Sequence, residues 1–161
     1  MTVSIPPNFV RAQSHLENVQ YAEDIFTYST GVGDLGPVSP GDSASTVIQI
    51  EADSYFKWIK ATFKAWTGAA NGANLAQTHA NQIIPNALVE ITDSGSGRKL
   101  QNTGVPVSSV FGDGEFPAII PLPRIFLPRS TITFTVTHIG ETGTDDLNFV
   151  FELQGLKGFE G

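Results

Sequence analysis

The chain of 161 residues contains no cysteine and a single methionine. Without cysteine it can form neither disulfide bonds nor thiolate nucleophiles, and cysteine-ligated metal centres are excluded as well. Charged residues make up only 16% of the sequence, against a usual share of about 25%. No stretch reaches about 18 consecutive apolar residues, the length that predicts a membrane-spanning helix. We therefore expect no membrane partner.

Basic residues are also scarce. Nine Lys and Arg stand against sixteen Asp and Glu, which gives a net charge of −7. Nucleic-acid binding normally requires a basic stripe that replaces counterions along the phosphates, and the sequence shows none. We expect no direct contact with DNA or RNA. The first residues lack the basic start and apolar stretch of a signal peptide, so we expect synthesis in the cytoplasm and release, if any, by lysis.

Turn-forming residues are abundant, with 16 Gly and 10 Pro. Between them lie short segments in which apolar and polar residues alternate, the pattern of strands with one buried face. The clearest is residues 130–139, where Ile132, Phe134, Val136 and His138 share one face and threonines fill the other. Further strands are predicted at residues 21–29, 46–52, 55–66, 86–92 and 147–156, with a short edge strand within residues 99–107.

Residues 55–66 permit two interpretations. Phe56, Ile59, Phe63 and Trp66 fall at helical spacing, whereas the high aromatic content and the surrounding strands favour a strand, which we predict. The tryptophans of this segment, Trp58 and Trp66, fit either a hydrophobic core or a sugar-stacking surface. We favour the core, and a carbohydrate- or receptor-binding β module remains an alternative function.

Strands separated by Gly/Pro turns, without a strand–helix–strand rhythm, predict an all-β fold: an antiparallel β-sandwich of jelly-roll-like type with long Pro/Gly loops. We expect one domain at residues 21–161, preceded by an N-terminal arm at residues 1–20. Two apolar rows should be adjacent and face the core, one formed by Ile132, Phe134 and Val136 and the other by Phe149, Phe151 and Leu153.

Three long loops are predicted, at residues 30–45, 67–84 and 108–128. The third contains Pro117, Pro121, Pro123 and Pro128. Proline reduces the conformational entropy of the unfolded chain, so this loop can be ordered without regular secondary structure. We interpret it as a preorganised contact surface.

No constellation of residues predicts catalysis. His15, His79 and His138 are far apart in sequence, and none has a second ligand at metal-binding spacing. His138 is expected to be a hydrogen-bonded histidine in the core or at its edge. The Gly-Ser-Gly-Arg-Lys segment at residues 95–99 lacks the P-loop pattern and is predicted to be a turn. The Gly-Asp-Gly-Glu segment at residues 112–115 is predicted to be a solvated turn, with a structural cation left open. We expect no enzyme, no catalytic residue, no cofactor and no metal site.

The order of these signals resembles a group of small virion structural proteins of tailed bacteriophages, over about residues 46–159. An Asp-Ser-aromatic entry leads into a strand, and a later strand ends in a Ser-Gly-Arg-x-Leu turn. Pro-Val and Phe-Gly segments, a proline-rich stretch before Pro-Arg-Ser-x-Ile, and a closing Gly-x-Lys-Gly-Phe follow. The matching residues are 53–58, 89–102, 106–107, 111–114, 121–132 and 155–159.

The resemblance implies a non-enzymatic component of the phage particle. Its nearest description is a capsid cement or decoration protein that binds the major capsid protein and itself, as a dimer or trimer, on the capsid surface of the virion. A head–tail or tail component is the alternative position. The arm and the long loops would make the contacts, and the candidate contact residues are Ile5, Pro6, Pro7, Phe9, Arg98, Phe111, Phe116, Arg124 and Arg129.

Overall fold

The computed structural model describes residues 22–68, 85–112 and 115–159. These residues form ten strands and one helical turn. In chain order they are β1 (Ala22–Ser29), β2 (Leu35–Val38), β3 (Ser43–Gln49), β4 (Ser54–Thr67), β5 (Ala87–Asp93), β6 (Arg98–Lys99), β7 (Val105–Pro106), α1 (Val107–Val110), β8 (Ala118–Phe126), β9 (Thr131–His138) and β10 (Leu147–Phe159).

The strands form two antiparallel sheets. Sheet I has the order β1-β10-β4-β8, and the short β2 also pairs with β10. Sheet II has the order β3-β9-β5-β6, and β7 also pairs with β5. The prediction of an antiparallel all-β fold is therefore confirmed.

Strand β9 shows how alternation in the sequence produces the fold. Successive side chains of a strand point to opposite faces. Ile132, Phe134 and Val136 are fully buried. On the opposite face the hydroxyl of Thr135 lies 2.8 Å from that of Ser45 on β3. The apolar row thus points into the core, and the threonine row forms hydrogen bonds between strands at the surface.

The core lies between the two sheets. Phe134 of β9 stacks on Phe151 of β10 with ring centroids 5.5 Å apart, and Phe111 lies 4.6 Å from Phe151. Both predicted apolar rows are buried. As predicted, they pack next to each other, with one row on sheet II and the other on sheet I. Since the rows meet across the core, side-chain packing rather than backbone pairing joins them.

The long strands β4 and β10 are the centre of sheet I. The strand interpretation of residues 55–66 is confirmed, and β10 continues to Phe159, beyond the predicted end. The pairing slips by one residue beside Gly155, where the backbones approach closely. A Cβ atom on Gly155 would lie 2.0 Å from the carbonyl oxygen of Lys57. A larger residue at this position would therefore force the two strands apart.

Two of the predicted loops contain strands. Residues 30–45 include β2, which carries a cis peptide bond between Gly36 and Pro37, and also the start of β3. Residues 108–128 include β8, so the description of that segment as a proline-braced loop is wrong. Both were missed because Gly and Pro usually mark turns, although prolines are tolerated on edge strands. Most of the remaining predicted loop, at residues 67–84, lies outside the described residues, as does the arm.

Candidate interaction surface

The histidine on β9 is a structural residue. His138 is 2% exposed, and its ring accepts a hydrogen bond from the backbone N–H of Gly140 at 2.9 Å. Its other ring nitrogen lies 3.2 Å from the carbonyl oxygen of Asp145. Both nitrogens thus have a partner, which confirms the prediction of a core histidine.

The two tryptophans are buried on opposite faces of β4. Trp58 belongs to the core between the sheets, where it packs on Phe126 and Phe111. Trp66 is fully buried, and its pairing with Asn148 places it on the other face of sheet I. Neither indole offers a flat exposed surface on which a sugar could stack. The stacking mechanism for a carbohydrate-binding module is therefore wrong for these residues.

Within the described ranges, no three His, Asp or Glu side chains lie close enough together to hold a metal ion. Asp113 and Gly114, at the centre of the predicted Gly-Asp-Gly-Glu turn, lie outside those ranges. No helix of the described residues has the length and apolar character needed to cross a membrane.

A buried ion pair connects the two sheets beside β8. Asp93, at the end of β5, is 2% exposed, and its carboxylate accepts a hydrogen bond from Arg124 of β8 at 2.9 Å. The same carboxylate accepts hydrogen bonds from the Ser96 hydroxyl at 2.8 Å and from the Gly95 backbone N–H at 2.9 Å. Residues 94–97 form a turn, as predicted for Gly95, Ser96 and Gly97, and this turn surrounds the carboxylate. Arg98 and Lys99, which were predicted to belong to the turn, form β6 instead.

Opposing effects act on the pKa of Asp93. Burial raises the pKa, whereas the hydrogen bonds from Arg124, Ser96 and Gly95 and the positive charge of Arg124 lower it. The net effect is a pKa below the usual value, so the carboxylate is charged at neutral pH. Because three donors already satisfy this charge, the arrangement is suited to holding β8 in place rather than to proton transfer.

Strand β8 presents apolar side chains to solvent. Among the residues that the structure describes, it lies at one edge of sheet I, and the segment from residue 116 to 127 contains five large apolar residues that are between 53% and 84% exposed. We call this set the β8 patch: Phe116, Ile119, Leu122, Ile125 and Leu127. Exposed apolar surfaces of this kind mark sites of association between proteins when the side chains are contiguous.

The apolar surface continues across the outer face of sheet I. Ile25 of β1, which is 88% exposed, pairs with Leu156 of β10. Leu156 pairs with Lys57 of β4, and Lys57 pairs with Ile125 of β8. These four residues therefore form one transverse row over the whole sheet, with Ile125 shared by the row and the β8 patch.

A shallow groove runs beside this row. Its volume is about 190 Å³, and its lining residues are Glu23, Tyr55, Lys57, Ile125, Leu127 and Pro128. The Tyr55 hydroxyl donates a hydrogen bond to the Glu23 carboxylate at 2.9 Å, and the ammonium group of Lys57 lies 3.9 Å from the same carboxylate. The charged groups of this β1–β8 groove are thus paired with one another, and the remaining lining is apolar.

The structure describes five of the nine predicted contact residues. Arg98, Phe116 and Arg129 are exposed near β8, and Arg124 is half-buried in its ion pair with Asp93. Phe111 is 1% exposed and packs in the core, so its assignment as a surface contact is wrong. Four further candidates lie outside the described residues: Ile5, Pro6, Pro7 and Phe9.

Sequence reasoning missed most of the β8 patch. Ile119, Leu122, Ile125 and Leu127 were treated as parts of a loop because Pro121 and Pro123 interrupt the alternation. The sequence did contain a signal for this surface. Residues 116–127 include more large apolar side chains than a solvent-exposed loop normally has.

No family model matches the chain, and no curated protein or solved structure matches it significantly.

Proposed function

We propose that the two sheets form a β-sandwich of the jelly-roll type. Counting β6 and β7 as one strand and leaving out the short β2 gives eight successive strands. The first pairs with the eighth, the second with the seventh, the third with the sixth and the fourth with the fifth. Nested antiparallel pairs result when one long hairpin is rolled into two sheets, which is the jelly-roll arrangement.

We propose further that the protein is a non-enzymatic structural protein that binds other protein subunits. The observation that carries this proposal is the β8 patch, in which five large apolar side chains are exposed along one edge. Burial of apolar surface contributes about 25 cal/mol per Å², so such a surface supports association once a partner covers it. The exposed guanidinium groups of Arg98 and Arg129 provide a polar rim, which is typical of protein interfaces.

The partner and location that we propose follow from the resemblance to phage virion proteins. They are the shell of the major capsid protein and further copies of this chain, on the capsid surface of a tailed phage. The jelly-roll arrangement agrees with this role because viral capsid domains use the same architecture. Repeated weak contacts over a particle add up through multivalency, so a modest patch on each copy is sufficient. A head–tail or tail position is the alternative within the same class of function.

The test is co-sedimentation with capsids that lack this protein. We expect the double substitution Ile119→Asp and Leu122→Asp to weaken binding at least tenfold, because two charges would enter an apolar contact. Val47→Asp is the matched control, since Val47 is a half-exposed apolar residue on β3 of the other sheet. Equal binding by the double variant and the wild-type protein would contradict the proposal, provided that both show the same thermal unfolding transition.

A further inference from the structure

The β1–β8 groove begins where the described chain begins. Ala22 is the first residue of β1, and the next residue, Glu23, lines the groove. Glu23, Gly158 and Tyr55 pair across neighbouring strands, so the groove crosses the sheet from this point. Residues 1–21 therefore join the sheet immediately beside an apolar groove.

We infer that residues 5–10 of the same chain dock in the β1–β8 groove. This segment reads Ile-Pro-Pro-Asn-Phe-Val and contains no Asp, Glu, Lys or Arg. A neutral apolar segment matches the groove because Glu23, Tyr55 and Lys57 already satisfy one another. A charged partner segment would leave its own charges uncompensated there.

The two prolines fit the shape of the groove. A Pro-Pro pair favours the extended polyproline conformation, so the segment loses little conformational entropy on binding. Polyproline segments typically dock in shallow grooves that contain aromatic side chains. Tyr55 supplies such a ring in the lining of the groove, and Ile125 and Leu127 supply apolar contacts on the β8 side.

Chain length favours docking within one molecule. The groove crosses three strand spacings, a distance of about 14 Å at about 4.8 Å per spacing. Eleven residues, 11–21, separate the proposed segment from β1. Eleven residues can span up to about 36 Å, at about 3.3 Å per residue. The linker is therefore long enough for the segment to reach its own groove, and the covalent connection raises the effective concentration of the segment there.

This inference concerns the face that the proposed function also uses, but its test requires no capsid. The absence of cysteine allows a single nitroxide to be attached to the full chain through Thr2→Cys. Methyl NMR then measures paramagnetic broadening of isoleucine, leucine and valine side chains. We expect selective broadening of Ile25, Leu156, Ile125 and Leu127, with little effect on Val47 or Ile139 at the other sheet.

Two variants test whether the broadening reflects docking in the groove or only the covalent attachment of the arm beside it. Ile125→Asp keeps the same linker and should abolish the selective broadening of Ile25, Leu156 and Leu127. Phe9→Ser in the arm should do the same while leaving the groove intact. Val47→Asp is the matched control and should retain the broadening. Selective broadening that survives both Ile125→Asp and Phe9→Ser, or that never occurs, would overturn the inference.

Mixing distinguishes the chain's own arm from that of a second copy. Isotope-labelled protein without cysteine is mixed with spin-labelled protein of natural isotope abundance. We expect no broadening in this mixture at concentrations where a protein that carries both the isotope label and the spin label shows it. Broadening of the groove residues in the mixture would place the arm on a neighbouring copy and overturn docking within one chain. If the wild-type protein shows arm docking but does not bind capsids, only the proposed function is contradicted.

Discussion

Strands β8 and β9 are consecutive in the chain, but their apolar side chains lie in opposite environments. Strand β9 lies inside sheet II between β3 and β5, and its apolar residues Ile132, Phe134 and Val136 are fully buried. Strand β8 lies at the edge of sheet I, and Ile119, Leu122 and Ile125 are exposed. The apolar residues of β9 therefore stabilise the fold, whereas most of those of β8 are available to a partner.

The backbone of β8 suits its position at the edge. An exposed edge strand presents unpaired N–H and C=O groups that can recruit other strands, and proline removes N–H donors. Pro121 and Pro123 lie where the pairing of β8 with β4 is interrupted. The edge can thus present apolar side chains while offering few donors for indiscriminate strand pairing. Contacts at β8 are expected to involve side chains rather than an added strand.

The largest difference between the two strands should be in stability. We expect Phe134→Ala on β9 to lower the free energy of unfolding by about 3–5 kcal/mol, since it removes a buried ring and leaves a cavity. Leu122→Ala on β8 should change it by less than about 0.5 kcal/mol, because an exposed side chain has little packing to lose. Urea denaturation measures both. Similar losses for the two variants would show that Leu122 is covered in the isolated protein.

Strands with one buried face were predictable from the sequence, as β9 shows. Its alternation of Ile132, Phe134 and Val136 with threonine leaves one register that buries the apolar row. The pairing of strands was not predictable, because no local signal specifies which strand lies beside another. The sequence accordingly predicted that the apolar rows of β9 and β10 pack next to each other, but not that they lie on opposite sheets.

The candidate surface was less predictable than the core. The sequence indicated that the segment before β9 makes contacts, and Phe116, Arg98 and Arg129 are indeed exposed there. It could not distinguish Phe111, which is buried, from Phe116, because both are single aromatic residues among Gly and Pro. Their exposure depends on the approach of both sheets, which is determined by contacts distant in sequence.

An intermediate effect is expected from the ion pair that attaches β8 to sheet II. Arg124→Met should lower the free energy of unfolding at pH 7 by about 1–3 kcal/mol, since the buried Asp93 carboxylate loses a charged donor. Arg98→Met is the matched control, because Arg98 is an exposed arginine in the β5–β6 hairpin that carries Asp93, and it should change stability by less than about 0.5 kcal/mol. An equally large loss of stability in Arg98→Met would show that the effect comes from the change in net charge and not from the ion pair.

The pH dependence of this difference provides a second test. The folded protein lowers the pKa of Asp93, so its stabilising contribution is present above the unfolded pKa of about 3.9 and is lost as the pH falls through the lower folded value. Without Arg124, the pKa of Asp93 should be higher than in the wild type, because the hydrogen bond and the positive charge of the guanidinium are lost. The difference in stability between wild type and Arg124→Met should therefore be largest above pH 4 or so and shrink below it. A constant difference over this range would exclude Asp93 as the group responsible.

The smallest effect is expected from the prolines that distinguish β8 from β9. Alanine can adopt the backbone conformation of Pro123, but it gives the unfolded chain more freedom, so Pro123→Ala should lower the free energy of unfolding by about 0.4–1 kcal/mol. The fold and the exposed apolar side chains should be unchanged. Thr133→Ala on β9, at a position where the unfolded chain gains no comparable freedom, is the comparison in the same denaturation series. An increase in stability of the Pro123→Ala variant would show instead that proline strains β8, and the interruption in its pairing with β4 would then be a consequence of the ring rather than a separate feature of the edge.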